Sequence, residues 1–431
     1  MKKQTPTILI TAYAVNPYKG SEDGMGWNFI LQAAGRQQVI AITRRNNGPH
    51  IRRYMQEHPL QQHLFERIRF VYFDWPQWTL FWKKGPLLSL IYYYWWQLTL
   101  ACWLLIKRPQ FDIAHNLNFH NDWTPSFLWL LGKPFVWGPV GHHPAIPKDF
   151  LLPVFGRKAW LQDRLLWVIK CWFWYVDPFV YITKWRARHI FCMNEAAAQK
   201  LRLPAHKYSI MPSVATDEIS FTKAPVRKGF KVLSIGRFVP LKGFDLTIKA
   251  FARFYKALPA NLQADTKLVL VGAGPLKGTM EQWISQLGVT DAVEMIAWMP
   301  KEQLPLIYAE SSVFLFPSHE GAGMVVAEAM SYGLPVLCLD NSGPGAFLHP
   351  RSALAVPYQQ YDDTIAGLAD GLTKLLTDLP AYETEADLAQ QRFHSWFLWD
   401  VRGRQLHQVY RKITGGSQRL SIRPTQPVHV A

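Results

Sequence analysis

The 431-residue chain has little cysteine: Cys102, Cys171, Cys192 and Cys338 lie far apart and make no Cys-x-x-Cys pair. That scarcity argues against a structural zinc and fits a reducing cytoplasm. Acidic residues are also few, 31 Asp and Glu against 47 Lys and Arg. No internal repeat, heptad run or low-complexity tract is present. What is abundant is apolar: a hydrophobic content of 49% excludes a disordered chain, and the length calls for two or three domains.

The formal charge of +16 is unevenly placed. Residues 1–213 hold 26 of the 47 cations, 11 of the 31 acids and 15 of the 19 tryptophans. The first half is therefore basic and Trp-rich, while the second is close to neutral. Basic charge alone fits nucleic acid or an anionic membrane. Tryptophan and tyrosine beside that charge favour the membrane interface. "MKKQTPTILITAYA" imitates a signal peptide, but its run is broken by threonines and reads as a first buried strand. Residues 85–106, "GPLLSLIYYYWWQLTLACWLLI", are uncharged and long enough to span a bilayer. Their Ser, Thr, Gln and three consecutive tyrosines instead predict a helix lying on the core or on a membrane.

Short β-branched runs alternate with helical patterns in both halves. "TILITAY", "QVIAIT", "RIRFVYF", "FDIAH", "PFVWG" and "RHIFCMN" read as strands of one series. "FKVLSIG", "TKLVLVG", "AVEMIAW", "SVFLFPS" and "LPVLCLD" read as strands of a second. Continuous apolar strands spaced by helices predict parallel sheets covered on both faces, hence an α/β chain of two doubly wound, Rossmann-like domains. The expected division is residues 1–213, then 214–393, with a C-terminal helix over 394–413 packing back on the first domain and a disordered tail over 414–431. Ligands of such sheets bind outside the carboxyl ends of the strands, so function is sought in the loops that follow strands.

Four such loops in the second half carry chemistry. "RFVPLKG" sets Arg237 and Lys242 at a strand end with Gly243 opening a helix, a pair of cations suited to a diphosphate. "AGPLKG" brings Gly272 and Gly274, which on their own mean no more than a tight turn. "SHEGAGMVVAEAM" places Glu320 on a loop, Gly321, Gly323 and Met324 at the mouth of a helix, and Glu328 on its second turn. A carboxylate accepts hydrogen bonds in pairs, as vicinal sugar hydroxyls offer them. The plainer reading, that Glu320 answers the helix dipole, leaves Glu328 in an apolar run unaccounted for. "DNSGPGAF" adds Gly343 and Gly345 at a further strand end.

Taken in order, "GRFVPLKGFD", "VGAGPLK" and "FPSHEGAGMVVAEAMSYGLPVL", with Glu, seven residues, Glu, resemble the retaining GT-B glycosyltransferases of family four. The resemblance is strong over residues 230–350 and looser in the first half. It implies a nucleotide-diphosphate sugar held by the second domain, with Glu320 on the donor sugar, Glu328 on the ribose, and Arg237 and Lys242 on the leaving diphosphate. It implies a hexosyltransferase acting with retention and with no cofactor. The chain has no Asp-x-Asp, the metal-diphosphate ligand of the other large glycosyltransferase fold, so the two cations are expected to stand in for a metal.

In the first half "YAVNPYKGSEDGMGWN" looks like the family's first loop, with Glu22, Gly24 and Gly26 toward phosphate or acceptor. "FDIAHNLNFHNDW" ends a strand with His115, followed by His120. Relatives carry His-x-His there, whereas Leu117 stands at that spacing here. The acceptor-facing histidine is thus left between the two, with His115 favoured for its strand-end place. "VWGPVGHHP" contributes Gly138 and Gly141. The setting expected is bacterial surface-glycan assembly on a glycan or lipid-linked acceptor, with the chain peripheral on the inner face of the membrane. A catalytically inactive nucleotide- or glycan-binding scaffold is the runner-up. A nucleic-acid partner is not expected, because the cations are dispersed among tryptophans with no recognition module.

Overall fold

The structure is a computed structural model and describes residues 5–83, 85–117, 121–218, 229–297, 299 and 303–415. The chain forms two compact units. The first takes the described residues of Met1–His142, Val168–Ser213 and Trp399–Ala431; the second takes those of His143–Trp167 and Val214–Leu398.

Unit 1 is built on seven strands: β1 (Thr7–Ala12), β2 (Gln38–Thr43), β3 (Ile68–Tyr72), β4 (Ile113–Leu117), β5 (Phe135–Val140), β6 (His189–Cys192) and β7 (Tyr208–Ile210). They pair in the order β3-β2-β1-β4-β5-β6-β7, all parallel. In register, Ile10 sits against Ala41 on one side and His115 on the other. The inner strands are buried along nearly their whole length, as strands covered on both faces must be. The order reverses direction between β1 and β4, which makes the crevice outside their carboxyl ends the switch point.

Helix Gly85–Lys107 carries the long uncharged run. Tyr92, Trp96, Leu100 and Leu104 recur at four-residue steps and are buried, while Ile91, Trp95 and Ile106 are exposed. It is therefore a core-packed helix with an apolar outer stripe. Among the described residues no single helix is long and apolar enough to cross a membrane; the bent pair Lys148–Tyr175 and Pro178–Arg186 has the length and composition but turns by 57°. Helix Trp399–Thr414 packs on unit 1, as expected of a C-terminal helix: Trp399 meets Phe29 edge-on at 5.4 Å, and Arg402 is buried. Trp396 does not follow it. That ring stays in unit 2, under the Arg392 guanidinium at 3.5 Å. The expected tail lies, from residue 416, outside the described residues.

Unit 2 holds six strands: β8 (Phe230–Ile235), β9 (Thr266–Val271), β10 (Val293–Ile296), β11 (Val313–Phe316), β12 (Val336–Leu339) and β13 (Ala355–Val356). Their order is β10-β9-β8-β11-β12-β13, again all parallel, with the switch point between β8 and β11. The core is continuous, from Val232 and Leu233 through Phe314 and Leu315 to Leu337 and Leu339, capped by Phe251 and Leu368 from the covering helices. Segment 143–167 adds Ile146, Phe150 and Leu151 to that core. Each unit is a doubly wound parallel α/β sheet, as the alternation of strands and helices predicts.

Candidate functional site

The loops after β8 and β11 flank the switch point of unit 2, and both predicted charged clusters lie there. After β8 the chain runs Gly236 to Gly243 before helix Phe244–Ala257 begins. Gly243 takes φ 68°, and a Cβ on it would lie 2.0 Å from the Pro317 carbonyl oxygen, so the two loops touch backbone to backbone. That closeness delivers Lys242 to Glu320. Lys242 Nζ donates to Glu320 Oε2 at 2.6 Å, with side-chain exposures of only 13% and 15%. The same ammonium lies 5.1 Å from the centre of the Phe316 ring. Arg237, on the same loop, is exposed.

Around this ion pair the remaining loops are stitched together by backbone and amide bonds. Asn341 donates to the Ser318 carbonyl at 2.8 Å and accepts from the Gly343 N–H at 3.0 Å. A Cβ on Gly343 would lie 2.0 Å from the Glu320 carbonyl oxygen, which ties the loop after β12 to the glutamate loop. Gly272 and Gly274 hold the loop after β9 against the one after β8, where Phe238 N–H donates to the Ala273 carbonyl at 2.9 Å. Gly323 caps helix Met324–Ser331 and Met324 is its first residue. Gly321 N–H donates to His143 Nδ1 at 3.1 Å. The Gly321 N–H at the helix mouth is thus committed to a histidine.

Glu328 sits one turn into that helix and is engaged differently. Tyr308 O–H donates to its Oε2 at 3.0 Å, and the Tyr308 ring stacks on Tyr332 at 5.2 Å. Burial, then the Glu328 charge, holds the Tyr308 phenol well above its ordinary range, so it remains a donor. His319, beside Glu320, points inward: it is buried, bonded to Tyr358 O–H at 2.8 Å, and held neutral by burial with a pKa lowered to about 4.

Unit 1 treats the predicted residues less kindly. Gly24 and Gly26 lie inside helix Ser21–Ala34, with Glu22 in its first turn, and not on the preceding loop. Gly24 is required by contact, since a Cβ there would lie 2.3 Å from the Lys19 carbonyl oxygen. His115 is fully buried on β4. Its Nε2–H donates to the Gly138 carbonyl at 2.8 Å and its Nδ1 accepts from Tyr410 O–H at 2.6 Å. Burial lowers its pKa to about 4. With both nitrogens bonded inside the unit, His115 ties the C-terminal helix to the sheet, and an acceptor hydroxyl finds no nitrogen there. His120 lies outside the described residues. Gly141 is buried beyond β5 and bridges to Asn121.

The histidine that the geometry does set up is one the sequence reading passed over. His142 Nδ1 lies 2.7 Å from Asp122 Oδ2, with the carboxylate side chain 1% exposed. Asp122 follows β4 and His142 follows β5, so the dyad stands at the carboxyl edge of the sheet. The stretch "VWGPVGHHP" predicts cleft glycines, not a histidine dyad. Two adjacent histidines were the available signal. Nothing local marks Tyr308, which is one more aromatic on a helix. Among the described residues no group of three or more His, Cys, Asp or Glu is placed to hold a metal ion.

The family model described as glycosyl transferases group 1 matches residues 215–392, the stretch that supplies all of these unit 2 loops. Residues 215–392 are thus similar to the group 1 glycosyltransferases. A curated relative is the GDP-mannose-dependent alpha-(1-6)-phosphatidylinositol monomannoside mannosyltransferase of Mycolicibacterium smegmatis, 30% identical over 191 residues, 41% of this chain and 47% of that protein. The chain thus spans about half the length of the curated relatives it matches. Solved structures share the fold over nearly the whole chain. A glycosyltransferase of Rickettsia africae superposes with TM-score 0.61 at 14% identity, covering 96% of this chain and 100% of that one. HepE of Anabaena, solved with UDP and glucose, gives 0.56 at 16% identity, covering 94% and 99%.

Proposed function

We propose that this protein is a retaining, metal-independent glycosyltransferase that moves a hexose from a nucleotide-diphosphate sugar to a glycan or lipid-linked acceptor. The observation that carries the reading is the Lys242–Glu320 pair at 2.6 Å, held across the switch point by two loops in backbone contact. An ammonium has three N–H donors. One meets Glu320, and the other two serve oxygens of the leaving diphosphate, with Arg237 supplying the second charge. Glu320 keeps its other oxygen for sugar hydroxyls. Glu328, oriented by Tyr308, takes the ribose hydroxyls.

In the transfer step the bond from the anomeric carbon to the diphosphate oxygen breaks as the acceptor oxygen bonds that carbon on the same face. The acceptor proton passes to the departing phosphate oxygen. Charge builds on that oxygen, so preorganised cations lower the barrier without a second carboxylate opposite the sugar. The relative from Mycolicibacterium smegmatis is GDP-mannose-dependent and acts on a phosphatidylinositol monomannoside, which supports the donor class and a lipid-linked acceptor.

The acceptor class also fits the surface of unit 1. Val168, Trp172, Tyr175, Val176, Tyr181 and Trp185 are all more than half exposed, among Lys170, Lys184 and Arg186. Tyr94 of the neighbouring core helix touches Phe173 there, with ring centres 6.1 Å apart. Aromatic rings and cations on one face suit an anionic bilayer, and we assign the protein to the inner face of a membrane, in bacterial surface polysaccharide assembly.

The test is transfer by purified protein, after thermal-shift screening of GDP-, UDP- and ADP-sugars has found the donor. Loss of a charge-assisted hydrogen bond costs roughly 1.5–3 kcal/mol, or about 10- to 150-fold. Arg237→Ala, Lys242→Ala and Glu320→Gln should each lower transfer at least tenfold in folded protein. Wild-type turnover in any of the three removes that residue from the site.

A further inference from the structure

A hollow of about 550 Å³ opens at the opposite end of the unit 1 sheet, where β5, β6 and β7 begin. Its lining comes from the three connections that enter those adjacent strands. Lys133 precedes β5, Arg186 and Arg188 precede β6, and His206 and Lys207 precede β7. No carboxylate lines it. Among the described residues none of Lys133, Arg186, Arg188 and Lys207 is in a salt bridge. Trp129 closes one side, and its indole N–H is buried with no acceptor. A buried donor left unmatched costs about 1–3 kcal/mol, so the unit folds with a donor and several cations gathered at one place and nothing negative to answer them.

A plainer cause accounts for part of this. Helix Pro178–Arg186 ends here, and cations are favoured at a helix C-terminus. Lys207 follows that rule, donating from Nζ to the Trp185 carbonyl at 2.7 Å. Its ammonium is nevertheless held below its ordinary pKa, by burial and then by the charges of Arg188 and Lys184. The helix end does not account for Lys133, which enters on a different connection, or for the orphaned indole.

We propose that this hollow binds a phosphate-class anion, with Lys133, Arg186 and Arg188 on its oxygens. A guanidinium matches two phosphate oxygens at once, and two guanidiniums two residues apart take an anion from one side while Lys133 takes it from the other. The volume is that of a headgroup-sized ligand. Trp185, 70% exposed, lines it, as an interfacial side chain would around a phospholipid headgroup. The same chemistry would take soluble phosphate. The site stands at the amino ends of the strands, away from the switch-point loops, and does not rest on the transferase reading.

The experiment uses full-length protein in two arms. Calorimetric titration with inorganic phosphate, at constant ionic strength set with chloride, reads the soluble source. Flotation with vesicles of phosphatidylcholine and phosphatidylglycerol at three to one, against phosphatidylcholine alone, reads the lipid source. Each cation removed should weaken binding about fivefold, so Lys133→Gln with Arg186→Gln should lose roughly 25-fold in whichever arm binds. Arg253→Gln, an exposed cation on helix Phe244–Ala257 outside both sites, should leave that arm unchanged. Phosphate binding identifies a soluble ligand, and binding only to vesicles identifies a headgroup; both support the site. Lys133 and Arg186 are exposed, so their substitution leaves the core intact, and Arg188→Gln provides an independent variant. A phosphate isotherm or flotation unaltered by both sets of variants, or no binding in either arm, overturns the proposal.

Discussion

His115→Gln separates a catalytic histidine from a structural one. The wild-type ring is fully buried, with Nε2 on the Gly138 carbonyl and Nδ1 on Tyr410 O–H. Burial lowers its pKa from 6.5 to about 4. A histidine with a depressed folded pKa binds fewer protons folded than unfolded between those values. Its stabilising effect is therefore complete above pH 6.5 and is lost as pH falls toward 4. The interval of about 2.5 units corresponds to about 3 kcal/mol at most. Glutamine also donates and accepts, but does not titrate. Chemical denaturation from pH 4 to 8 should show wild type losing stability over pH 6.5–4 more steeply than the variant, by up to that amount. At neutral pH the variant should be less stable by about 1–2 kcal/mol, since one hydrogen bond to a shorter reach is impaired. Its transfer rate, measured well below its melting temperature, should stay within about threefold of wild type on this reasoning. A folded His115→Gln protein that loses transfer a hundredfold, with unchanged acid sensitivity, would refute it and return His115 to the acceptor.

Other perturbations follow from the same structure. Asp245 is buried, bonded by Tyr361 O–H at 2.8 Å, and its pKa is raised to about 6 by burial. A carboxyl with a raised folded pKa destabilises once pH rises through the 4–6 window, so Asp245→Asn should gain up to about 3 kcal/mol at pH 7 relative to its gain at pH 4, by denaturant titration. Transfer should survive excess chelator on purified protein, and loss restored by Mg²⁺ or Mn²⁺ would mean the diphosphate is not held by Arg237 and Lys242. Trp172→Ala with Trp185→Ala should reduce flotation with anionic liposomes at least tenfold, and binding should fall with salt. Unchanged flotation would place the docking face elsewhere.

Much of the donor-side site was legible in the sequence because its chemistry is local. Arg237, Lys242, Gly243 and the Glu320–Glu328 spacing each lie within one loop and the helix it opens, and strand ends are readable from apolar runs. Helices Phe244–Ala257, Lys277–Gln286 and Met324–Ser331 fill the helical patterns between those runs. The strands left unassigned, β7 and β13, are three and two residues long at sheet edges, too short to show any period. On the acceptor side the reading stopped at residue type. A histidine at a strand end looks the same whether it faces a crevice or the opposite sheet neighbour.

The alternation of buried strands and helices, the two doubly wound units, the charge and tryptophan asymmetry, and the motifs within residues 215–392 were all readable along the chain. Each of those is written in periodicity, composition or a contiguous motif. Only the tertiary structure decided which side chains meet. Lys242 reaches Glu320 across 78 residues, His115 is claimed by Tyr410 across 295, and the basic hollow gathers positions 133, 186, 188 and 207 because three strands start side by side. Strand order and register set those meetings, and they arise from how the whole sheet buries its apolar faces, which no short stretch of chain encodes.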